Sequence, residues 1–284
     1  MKHILLPTDF SENSWEAIQY AMNLFKKQRV TFFLMHSYEP HVSAPSTAVT
    51  SKRANSIIMD SIKEEAKNGL QETLKKALEV NTNKEHQFKT IIINDYFLGA
   101  VQSTVSNMKI DAVVVGTKGA SGLKEVTIGS NTANLIGKLK CPIIAVPKNV
   151  VLKSLSDIGF ASDYSISEYH HGLDLLIELA SNFKSKISVV HVMNHSKELS
   201  SEMRANKMIL EAELKPIPID FYCITDVSVE VGTRIFSESR QLDMMCVIAK
   251  QHGFFDKLLH KSQSKSISHH AKVPLIIFNH AAFA

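Results

Sequence analysis

The chain repeats itself, and nothing else in the sequence restricts its fold as much. Thr8-Asp9-Phe10-Ser11 matches Ser162-Asp163-Tyr164-Ser165, and Met35-His36 matches Val190-His191. Cys141-Pro142-Ile143-Ile144-Ala145-Val146 likewise matches Val273-Pro274-Leu275-Ile276-Ile277-Phe278. Self-similarity over such a length marks a tandem duplication. In a chain of 284 residues each copy has the size of an ordinary domain. The expected division is a first domain over 1–147 and a second over 154–284, with a short linker between them. The second copy is slightly shorter, mainly in the loop and long helix after its second strand.

Within the first copy, apolar β-branched runs predict strands over 3–6, 30–35, 88–93, 111–115 and 142–146. Between them, helical spacing places Trp15, Ile18, Met22 and Phe25 on one face of a helix that Ser11 can cap. A long helix is expected over 54–80, with Ile58, Ile62, Ala66, Leu70, Leu74 and Ala77 inward. Two more follow, over 98–108 and 129–139, and 38–53 reads as a polar loop. Strands that alternate with helices predict an α/β fold, a parallel sheet covered on both faces. Ligands of such sheets sit beyond the carboxyl ends of the strands. Pro7-Thr8-Asp9 follows the first strand and therefore lies at that edge.

So does the stretch after the fourth strand. Val113-Val114-Val115 runs into Gly116-Thr117-Lys118-Gly119-Ala120-Ser121-Gly122, and Gly129-Ser130-Asn131 opens a helical pattern beyond it. Glycine lets backbone amides approach a ligand closely. A helix start adds unpaired N–H groups and the positive end of a dipole. Together these describe a cradle for phosphate. A P-loop would need Gly-x4-Gly-Lys-Ser/Thr, and a dinucleotide fingerprint would need its glycines after the first strand; the chain has neither. Asp9 has two readings, ligand contact or helix cap. Lys118 has two as well, phosphate neutralisation or plain exposure.

The two copies differ at this stretch. Aligning Asp111 with Asp243 puts Ile248 at the Gly116 position, Gln251 at Gly119 and Lys261 at Gly129. The second copy has lost its cradle.

A net charge of +4 and only short lysine clusters, Lys138-Leu139-Lys140 and Lys257 to Lys265, argue against a nucleic-acid partner. Three widely spaced cysteines without a CxxC suit a reducing compartment, and Cys141 and Cys246, set in apolar runs, read as buried thiols. No apolar run approaches a membrane span, and no signal peptide is expected ahead of the first strand. The expectation is therefore a cytoplasmic chain. Of thirteen histidines only His3, His36, His41 and His86 precede the second copy. No i, i+4 pair among the later ones has the carboxylate or thiol company of a zinc site, so no metal ligands are assigned. No nucleophile–base pair can be assembled either, so no catalytic residue is assigned.

Gly116-x2-Gly119-x9-Gly129-Ser130 after a buried strand, with Asp9 after the first strand and Pro142 at the last, resembles the nucleotide-binding universal stress proteins. The likeness spans both copies, so the chain is similar to a tandem member of that family. The resemblance implies two five-stranded parallel sheets of strand order 3-2-1-4-5, of the adenine nucleotide alpha hydrolase-like type. It implies ATP with Mg²⁺ as cofactor in the first copy. Asp9, with its neighbours Pro7 and Thr8, would meet the adenosine part. Gly116, Thr117, Lys118, Gly119 and Gly129 would line the phosphate loop, and Ser130 and Asn131 would donate to phosphate oxygens. It further implies that the copies pair through their last strands, an internal pseudo-dimer that leaves surface for a homodimer. The function implied is a stress-response nucleotide-binding protein. A non-nucleotide scaffold is the alternative, and hydrolysis would at most be slow, because no oriented nucleophile is in sight.

Overall fold

The computed structural model describes residues 1–39, 49–117, 130–152, 154–169, 171–193, 198–249 and 273–283. The first half carries β1 (Lys2–Pro7), α1 (Glu12–Leu24), β2 (Val30–Tyr38), α2 (Val49–Val80), β3 (Gln87–Asn94), α3 (Phe97–Asn107), β4 (Ala112–Gly116), α4 (Ser130–Leu135) and β5 (Ile143–Val146). The second carries β6 (Asp157–Ala161), α5 (Asp174–Phe183), β7 (Lys186–Met193), α6 (Ser201–Glu213), β8 (Ile219–Thr225), α7 (Val229–Ser239), β9 (Met244–Ala249) and β10 (Leu275–Asn279). A 3₁₀ turn, His280–Phe283, closes it.

All ten strands form one sheet in the order β3-β2-β1-β4-β5-β10-β9-β6-β7-β8. Each half is thus ordered 3-2-1-4-5, and its strands are parallel. The halves meet through their last strands, β5 against β10, antiparallel, with Ile144 opposite Ile276. The registers repeat: Ile4 pairs with Ala112 and Ile158 with Met244. Gly116 is level with Val146, and Ile248 with Phe278, so the structure aligns Ile248 with Gly116 as the sequence does.

Strands buried on both faces alternate their side chains between two cores. Ile4, Leu6, Phe32 and Leu34 join the face covered by α1, α2, α5 and α6, and that core runs unbroken into the second half through Ile144 and Ile276. Leu5, Phe33 and Met35 join the opposite face, with α3, α4 and α7. Ser11 caps α1, its side chain accepting from the Ser14 amide at 3.2 Å. Ile18, Met22 and Phe25 are buried behind it, and Trp15 is half-buried.

Three expectations need correction. α2 starts at Val49, earlier than the spacing predicted, and Ile58 is 51% exposed. Its 32 residues span about 48 Å at ~1.5 Å each, against about 30 Å for the nine residues of β2, so its first turns overrun the sheet. α4 ends at Leu135 rather than 139, because Gly137 turns left-handed at φ 73. Cys246 is fully buried as expected, but Cys141 is only half-buried. Among the described residues no helix is long and apolar enough to cross a membrane.

Candidate functional site

The chain leaves β1 toward β2 and leaves β4 toward β5, so the switch point of the strand order, where such sheets take ligands, lies between the carboxyl ends of β1 and β4. Pro7 and Thr8 are buried at the end of β1, and Asp9 is exposed just past them. The Thr8 amide donates to the Met35 carbonyl at 2.8 Å, which ties the turn to β2. Ser14 Oγ donates to the Ser11 carbonyl at 2.8 Å, so it is Thr8 Oγ1 that donates to Ser14 Oγ, at 2.9 Å. Thr8 Oγ1 also accepts the Phe10 amide at 3.0 Å.

Asp9 does not cap α1 itself. Its Oδ1 accepts from the amide and the hydroxyl of Ser11, at 3.1 and 2.6 Å, and so holds the capping serine in place. Phe10 takes a left-handed φ of 64 and stacks its ring on His36, centroids 4.4 Å apart. His36 Nδ1 lies 2.8 Å from the Thr8 carbonyl. A carbonyl only accepts, so Nδ1 carries the proton.

At the end of β4, Gly116 has no room for a side chain. A Cβ there would come within 1.9 Å of Asn13 Nδ2 and 2.9 Å of the Asn13 carbonyl oxygen on α1. The Gly116 carbonyl accepts from Thr132 Oγ1 at 3.0 Å, which anchors α4 to β4. Thr117 follows, its amide donating to the Val146 carbonyl at 3.0 Å. Its hydroxyl is buried and, among the described residues, has no hydrogen-bond partner. Ser130 opens α4, and Asn131 beside it is exposed. Lys118, Gly119 and Gly129 lie outside the described residues. No group of three or more His, Cys, Asp or Glu among the described residues could hold a metal ion.

The structure thus brings Thr8, Asp9, Gly116 and Thr117 to neighbouring strand ends. Sequence reasoning missed Asn13, which fills the space before Gly116, and the Phe10–His36 stack. The repeat carried a signal for the stack, since Tyr164 and His191 recur together in the second copy.

That second edge has the same turn. Asp163 Oδ1 accepts from the Ser165 amide and hydroxyl at 3.1 and 2.5 Å, Tyr164 has φ 52, and its ring stacks on His191 at 4.8 Å. Its aromatic is buried, however. Tyr164 is 2% exposed where Phe10 is 39% exposed, and Asn206 of α6 donates to the Tyr164 carbonyl at 2.8 Å. Ile248 stands where the first half has Gly116.

The same architecture recurs among known proteins. Over 98% of this chain and 96% of the other, the fold is similar to a crystal structure of a universal stress protein from Archaeoglobus fulgidus, with a TM-score of 0.70 at 18% identity. A universal stress protein of Methanocaldococcus jannaschii is 26% identical over 52% of this chain and 82% of its own length. Universal stress protein YxiE of Bacillus subtilis is 27% identical over 50% of this chain and 97% of its own. The sequence profile of the universal stress protein family matches residues 1–147, and the chain belongs to that family.

Proposed function

We propose that the first half, residues 1–147, binds ATP with Mg²⁺, and that the protein serves as a nucleotide-binding regulator in the stress response. The observation that carries this reading is the Thr117 hydroxyl. It is buried without a partner among the described residues, directly after a glycine whose Cβ position is crowded by Asn13, at the switch point where sheets of this order take ligands. A buried polar atom left unpaired is destabilising unless a ligand or water completes it. Phosphate oxygens are suitable acceptors for it. Asp9 stands at the adjacent strand end for the adenosine part. The glycine backbone, with Ser130 and Asn131, is the assigned cradle for the phosphates.

Mg²⁺ is usually held by one or two carboxylates and by the phosphates of its nucleotide. Of the residues assigned to this site only Asp9 offers a carboxylate, so the ion would ride chiefly on phosphate oxygens. Its contribution is charge neutralisation. We read the half as a binder rather than a hydrolase, since phosphoryl transfer also needs an oriented nucleophile and no residue is assigned that part. The lost glycines and the buried Tyr164 of the second half favour a scaffold role there, so one nucleotide per chain is expected. Cytoplasmic residence and homodimerisation through surface outside the β5–β10 seam complete the proposal.

The test is melting and titration calorimetry with ATP and Mg²⁺. A ligand at a hundred times its Kd stabilises by about 2.7 kcal/mol, a readily measured rise in Tm. Asp9→Ala and Gly119→Val should reduce the heat and the shift while the apo protein still melts cooperatively. An unchanged melting curve at millimolar ATP, or two nucleotides per chain, contradicts the proposal.

A further inference from the structure

β3 and β8 are the two edges of the ten-stranded sheet. Among the described residues, β3 pairs only with β2, and β8 only with β7, where Cys223 stands opposite His191. An edge strand presents a row of unpaired N–H and C=O groups, a template for a further strand. Proteins commonly guard such edges with charge.

β8 is guarded. Lys207 sets its ammonium 4.5 Å from the centroid of the Phe221 ring, and the Arg240 guanidinium lies 4.4 Å from that of Tyr222. Successive residues of a strand point to opposite faces, so each face of β8 carries a cation beside the edge. The charged residue of the strand itself, Asp220, has no basic residue there to meet.

β3 is built differently. It ends in Thr90-Ile91-Ile92-Ile93-Asn94. Ile92 is half-buried at the rim of one core, and Ile91 and Ile93 at the rim of the other. The run lies between opposite charges, an exposed Lys89 and a half-buried Asp95. Directly opposed residues of an antiparallel pair share a face. A two-fold axis through Ile92 sets that residue opposite its own copy and Ile91 opposite the partner's Ile93. The same axis sets Thr90 opposite the partner's Asn94, and Lys89 opposite the partner's Asp95. Apolar residues meet apolar ones, and each lysine meets a carboxylate. Sliding the pair by one or two residues either way sets Lys89 opposite an uncharged residue instead: Ile93, Asn94, Tyr96 or Phe97. The charges therefore select one register, and that register is symmetric.

The helix above the edge adds apolar surface. A Cβ on Gly69 of α2 would meet the Phe10 ring at 2.7 Å, so that side of the helix faces the turn after β1. At ~100° per residue, Leu74 and Leu78 lie on the other side, away from β1 and toward the β3 edge. There Gln71, Leu74, Lys75, Leu78 and Glu79 line a shallow groove of about 380 Å³, and Leu78 is 57% exposed.

We propose that two copies of the chain pair β3 with β3, antiparallel about Ile92, so that one sheet runs through both chains. The inference rests on the homodimer proposed above and names its interface. A two-fold contact of this kind is self-complementary and closes on itself, so assembly stops at the dimer.

Sedimentation of the full chain over a concentration series, with hydrogen exchange at each end of the series, tests this. A dimer is expected, and in it the amides of β3 exchange more slowly than in dilute protein while those of β8 do not change. Lys89→Glu, at an exposed position, sets like charges together at both symmetry-related places, so dimerisation at least about tenfold weaker is expected. Lys89→Glu combined with Asp95→Lys restores the opposite-charge pair and the dimer. A dimer that leaves β3 exchange unchanged, or that is as tight in Lys89→Glu, overturns this interface and leaves the homodimer reading standing. A chain that stays monomeric up to near-millimolar concentration overturns both.

Discussion

Gly116 shows what one residue of the motif does in three dimensions. The glycine spacing marks it as part of a ligand loop, yet its first duty is structural, since a Cβ would sit 1.9 Å from Asn13 Nδ2. Gly116→Ala is therefore expected to destabilise the apo protein by about 1–3 kcal/mol, the range for overpacking. A lower urea midpoint at unchanged slope checks this, and adding Asn13→Ala should recover part of the loss. The two aromatics of the repeated turn should respond unequally. Tyr164, 2% exposed, should cost about 3–5 kcal/mol on truncation to Ala, as large buried side chains do. Phe10, 39% exposed, should cost roughly 1 kcal/mol or less by the same measure of lost burial. Sequence could pair these residues as repeats. It could not tell the exposed ring from the buried one, because exposure depends on what other elements pack around the turn, as Asn206 of α6 does at the Tyr164 carbonyl.

At the scale of elements, caps and periodicity were legible and lengths were not. Ser11 was readable as a cap, and the structure shows it accepting from the Ser14 amide. Ser11→Ala should cost about 1 kcal/mol by thermal melting, the usual worth of an N-cap. In α2 the apolar spacing runs evenly from Ile58 to Ala77, but only the part facing the sheet is buried. Leu70, 1% exposed, should cost about 2–5 kcal/mol as Leu70→Ala. Ile58→Lys, on the overrunning end, should stay within about 0.5 kcal/mol of the parent. Spacing reports which face of a helix is apolar. Whether a strand lies beneath that face depends on the length of the strand. The end of α4 falls short of the expected 139 for a local reason, since Gly137 adopts φ 73.

At the scale of the molecule, the seam between β5 and β10 joins two copies into one sheet. Ile144 and Ile276, opposite each other there and both fully buried, belong to a core shared by the two halves. The intact chain should therefore melt in one cooperative transition by calorimetry. Ile276→Asp, an unpaired charge in that core, should lower the melting temperature and separate the halves into two transitions. The sequence by itself determined the duplication, the alternation of strand and helix, the order of each half through its family likeness, and the loss of the cradle in the second copy. These are local patterns, periods and matched motifs, and they can be read along the chain. Only the tertiary structure decided that Phe10 is exposed and Tyr164 buried, that the Thr117 hydroxyl is buried without a partner among the described residues, and that Cys223 stands in register with His191. Each of these joins residues far apart in sequence, so each is set by strand register and helix packing, which no local pattern encodes.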